Sequence, residues 1–412
     1  MYHTVLEYRE ELYVAGRAKS RLYELFAVTS PGLAAFCGAE ALRCGLLAEL
    51  APSAVESGGV NLSANRAALY RANLHLRTAS RVLVRLGEFH AENFDQLQSR
   101  ASLLAWEKFL APGRAVDLRV TCHKSRLYHS GAVAERIANA IGDRLRQPSN
   151  VQKADEESDE QVAQLVVVRL MHDVCTISID SSGALLHRRG YRLATAKAPL
   201  RETLAAGLLL ASGWDAQADA PPPLLDPFCG SGTIPIEAAL MARQIAPGRG
   251  RRFAFMEWPD FDARLWQSLL DEADEQMQQR SAQLADGLAI QASDRDAGAI
   301  ASAQANAARA GVAGDIEFTC RAVSAIEPPA TPGYVTTNPP YGQRIRNASD
   351  LRNLYAQLGK VLHSRCPGWR VAILGNDQMA LGQIGLRLDT ELTLVNGGIH
   401  VFVARGVVGA AR

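Results

Sequence analysis

Two short segments carry residue types that could hold and modify a small molecule. Residues 224–240 read LLDPFCGSGTIPIEAAL, and residues 335–342 read VTTNPPYG. The first segment predicts an apolar strand that ends at Asp226, a loop with two glycines, and a helix from Ile234. Such a loop lets a ligand approach the backbone closely. The second segment places a side-chain amide, a backbone carbonyl and an aromatic ring close together, which suits a flat ring that carries an exocyclic amine.

Each segment also has an ordinary structural interpretation. A strand, a glycine turn and a helix occur in many α/β proteins, and two prolines after a strand often form only a rigid turn. The loop is not a Walker A sequence, because no Gly-Lys-Ser or Gly-Lys-Thr follows. It also departs from Gly-x-Gly-x-x-Gly, because Pro235 replaces the third glycine. Both departures argue against phosphate as the ligand, whereas the order and separation of the segments favour a shared site.

An acidic residue between the two segments strengthens this interpretation. Residues 288–296 read LAIQASDRD, an apolar run that ends in acid and precedes an alanine-rich helical stretch at 299–309. An acid at the end of a second parallel strand is placed to accept both hydroxyls of a ribose. The chain therefore presents a glycine loop, a strand-end acid at Asp294 and then Asn-Pro-Pro-Tyr after a later strand.

This order of motifs resembles the class I S-adenosylmethionine-dependent methyltransferases. The resemblance implies S-adenosyl-L-methionine as the cofactor and assigns chemistry to the tetrapeptide. The implied catalytic residues are Asn338, Pro339, Pro340 and Tyr341. The implied cofactor-binding residues are Asp226, Pro227, Phe228, Cys229, Gly230, Ser231, Gly232, Thr233, Asp294, Arg295 and Asn338.

Length and composition limit the remaining possibilities. At 412 residues the chain is too long for one ordinary core, so two or three domains are expected. A content of 48% hydrophobic and 21% charged residues is typical of a soluble globular protein. No apolar run approaches the roughly 20 residues that span a bilayer, and the first residues lack an export signal. We therefore expect a cytoplasmic protein with no membrane partner.

The seven cysteines form no Cys-x-x-Cys pair and are odd in number. This pattern argues against a disulfide framework and against zinc, and we expect no metal site. Cys229 lies inside the glycine loop, where a buried thiol facing the cofactor is a better interpretation than a nucleophile. The Asn-Pro-Pro-Tyr segment carries no cysteine that could attack a pyrimidine ring, so covalent catalysis is not expected.

Charge is distributed in local clusters. The net charge of +1 argues against a chain-wide nucleic-acid field but permits a local one. Basic residues gather at 66–85, 187–192 and 248–252, and acidic residues gather at 155–160 and 271–275. Each cluster by itself is more typical of a solvated surface than of a binding site.

The pattern of elements separates two halves. Strands and helices up to residue 182 predict a small α+β module, in which 80–87 alternates like a sheet edge and 93–109 is helical. From Leu224 onward strands alternate with helices, which predicts a doubly wound parallel sheet. The fold class is therefore α/β, with an N-terminal α+β portion followed by a Rossmann-like domain.

With the basic stretch 187–192 included, the chain resembles the THUMP-domain RNA guanine-N2 methyltransferases, and most of all the bacterial enzymes that modify 23S ribosomal RNA. The residues that carry this resemblance are 59–60, 106, 187–192, 199, 202–205, 212–214, 224–239, 251–255, 266, 293–294 and 338–342. The resemblance implies an extension at 1–21, a ferredoxin-like portion at 22–64, a THUMP RNA-binding domain at 65–182, a linker at 183–206 and a methyltransferase domain at 207–412. It also implies RNA contacts from Arg188, Arg189, Tyr191 and Arg192.

The expected reaction is a direct displacement of the cofactor's methyl group by the N2 amine of a guanine held outside its stack. Asn338 and the Pro339 carbonyl would accept the amine hydrogens, and Tyr341 would stack on the base. Similar enzymes place an acid after the third strand for the adenine amine, but Ala322 stands there in this chain.

Three alternatives remain open at this point. Transfer RNA could replace 23S ribosomal RNA as the substrate, since both enzyme types share these domains. Asn-Pro-Pro-Tyr also serves adenine-N6 methylation of DNA, although the N-terminal half resembles RNA-binding modules. A non-catalytic RNA-binding assembly factor would show damage in the glycine loop or at Asn338, and the sequence shows none.

Overall fold

The computed structural model describes residues 22–56, 58–153, 163–193, 200–329, 331–341 and 348–409. The expected extension at 1–21, and Pro199 and Gly342 of the family resemblance, lie outside the described residues. The described chain forms two seven-stranded sheets, one in each half, and helices pack against both. Within the part of the chain that the structure describes, no helix is both long enough and apolar enough to cross a membrane.

The N-terminal half is a mixed sheet with the strand order β2-β3-β1-β4-β7-β6-β5. Its β5 and β6 are parallel, and its other pairs are antiparallel. The strands are β1 Tyr23–Thr29, β2 Val55–Glu56, β3 Gly59–Ala64, β4 Ala79–His90, β5 Val116–His123, β6 Gln164–Met171 and β7 Val174–Asp180. The helices are α1 Ala34–Arg43, α2 Arg66–His75, α3 Phe94–Ser102 and α4 Ser130–Leu145.

Strand β4 corrects one sequence prediction. Its alternating pattern predicted a sheet edge, but β4 lies in the middle of the sheet, between β1 and β7. Alternation reports that one face of a strand is buried, and it does not report how many strands flank it. The long β4 therefore joins the ferredoxin-like strands and the THUMP strands into one sheet.

The helix predicted over 93–109 is also shorter than expected. Helix α3 ends at Ser102, and a separate single turn follows at Trp106–Lys108. The Trp106 indole is fully buried, and its Nε1 donates to the Ala101 carbonyl over 2.8 Å. This side chain holds the break between the two helical pieces inside the N-terminal core.

The C-terminal half is doubly wound, with the strand order β10-β9-β8-β11-β12-β14-β13. Strands β8 to β12 are parallel, and β14 runs antiparallel to both β12 and β13. The strands are β8 Leu224–Asp226, β9 Ile290–Asp294, β10 Ile316–Cys320, β11 Tyr334–Thr337, β12 Arg370–Gly375, β13 Thr393–Asn396 and β14 Ile399–Val407. The helices are α5 Glu202–Ser212, α6 Thr233–Ala242, α7 Ala263–Gln283, α8 Ala297–Ala310, α9 Ala348–Arg365 and α10 Gln378–Gly382.

The strand order reverses at β8, which lies between β9 and β11. The crossover after β8 leads to β9 on one side, whereas the crossover after β10 returns past β8 to β11 on the other side. A crevice therefore opens beyond the carboxyl ends of β9, β8 and β11. The glycine loop, the strand-end acid and Asn-Pro-Pro-Tyr follow β8, β9 and β11 respectively. The fold therefore brings the three motifs of the sequence to one place.

Residues between α6 and α7, together with the start of α7, attach the C-terminal half to the N-terminal half. The ring of Tyr70 on α2 stacks on Phe255 with centroids 4.4 Å apart, and Trp266 meets Tyr70 edge-on at 6.1 Å. These aromatic side chains belong to the same hydrophobic core as the N-terminal sheet. Arg66 adds an ion pair of 2.6 Å to Asp260 at the rim of this contact.

Candidate active site

Asp226 ends the central strand β8 and is 1% exposed. Its Oδ1 accepts hydrogen bonds from the hydroxyl of Thr337 at 2.6 Å and from the backbone N–H of Phe228 at 3.2 Å. Its Oδ2 is buried and has no hydrogen-bond partner among the described residues. Burial raises the pKa of this carboxyl to about 7, while the bonds from Thr337 and Phe228 oppose the rise.

The glycine loop is tied to the end of β9. The N–H of Gly230 donates to Asp294 Oδ2 at 3.1 Å, and the N–H of Asp296 donates to Asp294 Oδ1 at 3.0 Å. The N–H of Cys229 donates to the Ser293 carbonyl at 2.9 Å. Each carboxylate oxygen of Asp294 keeps a further lone pair, so this half-buried group can still accept hydrogen bonds from a ligand.

Glycine is required in this loop for two different reasons. Gly230 and Gly232 both have left-handed backbone conformations, with φ of 52° and 84°. A Cβ at Gly232 would lie 3.0 Å from the Cβ of Ala303 on α8, so the loop and that helix need the close approach. A Cβ at Gly230 would meet no atom within 4 Å, which leaves open space in front of the loop.

Cys229 cannot serve easily as a nucleophile in this position. Its side chain is buried, and burial together with the nearby carboxylates of Asp226 and Asp294 raises the pKa of the thiol well above its usual value. The thiol is therefore protonated at neutral pH, as expected for a packing residue of the loop.

The Asn-Pro-Pro-Tyr segment follows β11, which is paired directly with β8. The Oδ1 of Asn338 is buried without a hydrogen-bond partner among the described residues. Pro339 is buried and Pro340 is half-buried. The ring of Tyr341 is only 6% exposed, and its hydroxyl accepts a hydrogen bond of 2.7 Å from Asn396 Nδ2 in the β13–β14 turn.

The remaining predicted cofactor residues line the loop or support it. Pro227 is buried, Phe228 is half-buried, and Thr233 begins helix α6. The Ser231 side chain is buried, and its carbonyl accepts a hydrogen bond from Asn306. Arg295 is exposed at the end of β9. The structure thus brings all of these residues to the carboxyl ends of adjacent strands.

Three residues that the sequence interpretation did not assign support the site. Thr337 binds Asp226, Asn396 binds Tyr341, and Asn306 Nδ2 donates to the Ser231 carbonyl at 2.9 Å. Thr337 lies next to Asn338 and could have been found from its position in the motif. Asn306 lies in the alanine-rich helix α8, and a single asparagine among alanines was the available sequence signal. The structure shows that this asparagine is fully buried. For Asn396 the sequence offers no signal besides the Asn-Gly-Gly turn.

The polar groups of the site fit S-adenosylmethionine. Among the described residues, buried oxygen atoms without a hydrogen-bond partner lie on Asp226, Ser293 and Asn338, at the carboxyl ends of β8, β9 and β11. A buried carboxylate oxygen suits the ammonium of the methionine end, and Asp294 suits ribose hydroxyls beside an open glycine loop. At Ala322, which is exposed after β10, the chain offers no carboxylate to the adenine amine.

The linker corrects the expected RNA contacts. Arg189 is buried, donates to the carbonyls of Leu186 and Arg77, and lies 3.6 Å from Glu237 on α6. The Tyr191 hydroxyl donates to Glu237 Oε1 at 3.1 Å, and Arg192 binds Glu202 through two hydrogen bonds of 3.0 Å.

RNA contact by Arg189, Tyr191 and Arg192 does not fit these positions, because their polar groups already bind atoms inside the protein. Burying an arginine requires such internal partners, so a basic run at a domain junction serves packing as readily as it serves phosphate binding. Arg188 is half-buried, and its expected RNA contact stays a prediction.

Fold and site together define a class I S-adenosylmethionine-dependent methyltransferase. A family model described as "RMKL-like, methyltransferase domain" matches residues 189–403. Models for the RlmL ferredoxin-like domain and the THUMP domain match residues 24–83 and 91–180. The chain belongs to the RMKL-like methyltransferase family. The boundary expected after residue 64 falls inside the range of the ferredoxin-like model.

Known relatives are similar over most of this chain. A Synechocystis protein named "Putative RNA methyltransferase" is 36% identical over 381 residues, which are 90% of this chain and 95% of the relative. The "Ribosomal RNA large subunit methyltransferase K/L" of Shewanella baltica is 38% identical over 347 residues, 83% of this chain. The chain spans about half of that relative, since the match covers 47% of its length.

Solved structures share the whole architecture. The crystal structure of SMU.472, described as a putative methyltransferase complexed with SAH, superposes with a TM-score of 0.81 at 29% identity. It covers 95% of this chain and 99% of the other. A protein from Listeria monocytogenes, described as a predicted N6-adenine-specific DNA methylase, superposes with a TM-score of 0.79 at 33% identity. That match covers 93% of this chain and 96% of the other.

Proposed function

We propose that this chain methylates the exocyclic N2 amine of a guanine in 23S ribosomal RNA. The observation that carries this proposal is the buried Asn338 Oδ1 at the end of β11, which has no hydrogen-bond partner among the described residues and lies beside the proposed cofactor site. A buried amide oxygen without a partner is costly unless a ligand supplies the donor. An exocyclic amine on a planar base supplies such donors.

Asn338 and Pro339 make the amine a better nucleophile. The lone pair of a guanine amine is conjugated with the ring, so attack requires a pyramidal nitrogen that gains positive charge. Asn338 Oδ1 and the Pro339 carbonyl accept hydrogen bonds from the two amine hydrogens and stabilise that nitrogen more than the flat ground state. When the N–C bond forms, the S–C bond breaks to leave a neutral thioether, and the nitrogen then loses one proton to water. S-Adenosylmethionine, when bound, supplies an electrophilic methyl group on its sulfonium.

The other residues of the site hold the reactants. Asp226 would bind the ammonium of the methionine end, Asp294 would bind the ribose hydroxyls, and the backbone of the glycine loop would form one wall of the cofactor site. Tyr341 presents a ring whose orientation is fixed by Asn396. The exocyclic amine of a stacked and paired guanine is not accessible to a protein side chain from both sides, so the substrate is a flipped base or a loop nucleotide.

The choice of RNA as substrate rests on the N-terminal half and on the relatives. The matches to a THUMP domain and to proteins named as RNA or ribosomal RNA methyltransferases support it. A cytoplasmic location goes with this substrate. Contacts to phosphates outside the site should give an affinity that falls with salt.

The experiment is transfer of labelled methyl from S-adenosylmethionine to unmodified 23S RNA, transfer RNA and DNA, followed by nucleoside analysis. Wild type is compared with Asn338→Ala and with Asn353→Ala, an exposed asparagine of α9 that serves as a matched control. We expect N2-methylguanosine in 23S RNA with wild type and the control, and none with Asn338→Ala.

Other outcomes favour the alternatives. Label in transfer RNA would keep the chemistry and change the substrate, and N6-methyladenine in DNA would replace the proposal with adenine methylation. Cofactor binding without transfer to any naked nucleic acid, or to isolated pre-ribosomal particles, would favour a non-catalytic assembly factor.

A further inference from the structure

The ring of Tyr128 is 81% exposed, although it belongs to a tightly fixed part of the N-terminal half. It lies in the Tyr128 loop, residues 123–129, which connects β5 to α4. An exposed aromatic ring keeps its large apolar surface in water, and such rings are enriched where another molecule covers them. The ring is therefore a candidate contact for another molecule.

The loop is held rigidly by the turn between β6 and β7. The N–H of Arg126 donates to Asp173 Oδ1 at 2.6 Å, and the N–H of Asp173 donates to the Ser125 hydroxyl at 3.0 Å. The N–H of His172 donates to the His123 carbonyl at 3.2 Å. These bonds join the two turns, so little conformational entropy remains to be lost when the ring binds a partner.

Both ends of the loop are fixed as well. Leu127 is buried in the core directly before Tyr128. His129, directly after it, caps helix α4, because its Nδ1 accepts the N–H of Ala132 at 3.1 Å. The backbone on either side of Tyr128 is thus anchored while the ring itself points to solvent.

Exposed basic and imidazole side chains lie at the same end of the N-terminal sheet as the Tyr128 loop, and this end is called the tip. The exposed groups of this tip include Lys124 of the loop, and Arg100, which donates to the His90 carbonyl at 2.7 Å. Four of the nine histidines of the chain lie at the tip, namely His90, His123, His129 and His172. An exposed aromatic ring at the same tip as guanidinium, ammonium and imidazole groups matches a nucleotide, which offers a base face and an anionic phosphate.

A metal ion is a poorer ligand for the same tip. Ligand atoms of His90, Glu92 and Asp173 lie within 4.8 Å of one another. Arg126, however, binds Glu92 and lies 3.7 Å from Asp173, so a guanidinium already occupies the space between the two carboxylates that a metal ion would need. The tip therefore offers donors and a ring to an anionic ligand, rather than acceptors to a cation.

We propose that Tyr128 is a stacking platform for an unpaired nucleotide of the RNA substrate, outside the site that binds the reacting guanine. The proposal rests on RNA being the substrate. A tyrosine ring reaches the face of a base only where that base is not already stacked in a helix, so the nucleotide belongs to a loop, a bulge or a strand end.

The test compares RNA binding by the full chain as wild type, Tyr128→Ala, Tyr128→Phe and Met379→Ala. Met379 is 77% exposed on the methyltransferase half and serves as the matched control. Stacking of one base is worth a factor of about 5 to 160 in affinity. We expect Tyr128→Ala to weaken binding of a 23S RNA transcript by at least about fivefold, with Tyr128→Phe and Met379→Ala near wild type.

A second measurement locates the contact directly. The transcript carries 4-thiouridine and is crosslinked to the wild-type chain by light, and the attached peptide is identified by mass spectrometry. We expect the peptide that contains Tyr128. Normal RNA affinity of Tyr128→Ala, or an equal loss in Tyr128→Phe, overturns the proposal.

The two proposals fail in different ways. Methyl transfer to RNA that does not depend on Tyr128, with no crosslink at its peptide, overturns only the stacking platform. A crosslink at Tyr128 with no methyl transfer to RNA overturns only the proposed reaction. An RNA-binding loss in Tyr128→Ala with unchanged affinity for S-adenosylmethionine supports the platform, because a general folding defect would lower both.

Discussion

The hydroxyl of Thr337 donates a hydrogen bond of 2.6 Å to Oδ1 of Asp226, and this bond joins the carboxyl ends of β11 and β8. Thr337 precedes Asn338, the proposed catalytic residue, and Asp226 precedes the glycine loop. The bond therefore couples the segment that is proposed to hold the base to the segment that is proposed to hold the cofactor. It also determines part of the charge state of Asp226, because hydrogen bonds to a carboxylate favour its ionised form.

The affinity for S-adenosylmethionine should depend on pH through Asp226. In the free protein burial raises the pKa of Asp226 to about 7, and the cofactor's ammonium favours the ionised form. Cofactor binding should therefore be tightest above pH 7 and weaken by up to about tenfold per unit below it. Calorimetric titrations at pH 6 and pH 8 measure this ratio. The same ratio in Asp226→Asn would assign the dependence to another group.

The same shift affects stability with the opposite sign. Because the pKa of Asp226 is higher in the folded chain than its ordinary value, proton uptake by this group favours the folded state. Its contribution to the free energy of unfolding is fully present below about pH 4 and is lost as pH rises through about 7. Above pH 7 the ionised Asp226 no longer contributes this stability, and pairing with the cofactor's ammonium should offset the cost of its burial. Bound cofactor should therefore stabilise the chain most at alkaline pH.

Thr337→Val should move the pH dependence of cofactor binding upward. Valine removes the hydrogen bond that lowers the pKa of Asp226, while its shape is retained. At pH 7 the affinity should fall roughly threefold to tenfold, and it should recover at higher pH. Thr337→Ser keeps the hydroxyl and is the matched control. An affinity loss in Thr337→Val that is equal at pH 6 and pH 9 would show that packing, and not protonation, is responsible.

The two glycines of the loop should respond differently to alanine. Gly230→Ala adds a left-handed alanine in open space, which costs about 1 kcal/mol of unfolding free energy and places a methyl where the cofactor lies. Gly232→Ala adds the same backbone strain and a contact of 3.0 Å with Ala303, so it should cost about 2 kcal/mol or more.

Denaturant unfolding and cofactor titration separate these two effects. Gly230→Ala should lose cofactor affinity in a nearly normally stable chain, whereas Gly232→Ala should lose stability first. Equal stability of the two variants would show that α8 moves away from the loop at little cost.

Tyr341→Phe should lower turnover while RNA affinity stays nearly normal. Phenylalanine keeps the ring but loses the 2.7 Å bond to Asn396, so the ring is present and its orientation is less fixed. We expect a severalfold lower kcat with little change in KM for RNA. Asn396→Ala, which removes the same bond from the other side, should give the same result. A normal kcat in both variants would show that the bond has no part in catalysis.

Sequence patterns predicted the three motifs more fully than the hydrogen bonds that hold the motifs in place. The glycine loop, Asp294 and Asn338 were found because strand ends followed by Gly, Asp or Asn-Pro-Pro are local signals, and a doubly wound order brings them together. Bonds such as Asn306 to Ser231 and Asn396 to Tyr341 join residues far apart in the chain. Periodicity contains no information about such pairs.

The linker shows the same limit for charged residues. A run of arginines with an aromatic residue is typical of RNA binding, yet in this chain Arg189 and Arg192 face the buried acids Glu237 and Glu202. Those acids lie on α6 and α5, inside helices whose other residues are mostly apolar. An acidic residue within an otherwise apolar helical stretch was the sequence signal, because such an acid is expected to be buried with a basic partner.

Arg192→Ala should therefore lower stability instead of RNA affinity. The change leaves Glu202 buried without its partner, and breaking a buried ion pair costs about 3 kcal/mol or more. Burial raises the pKa of Glu202 to about 7, so the loss should be largest above pH 7, where this carboxyl is ionised, and smaller at pH 6. Arg264→Ala, at an exposed arginine of α7, is the control. Wild type and both variants are compared by denaturant unfolding at both pH values. Their RNA binding is compared at a temperature where the Arg192→Ala chain is folded. Weaker RNA binding by a folded Arg192→Ala chain of normal stability would restore the RNA contact that the sequence predicted.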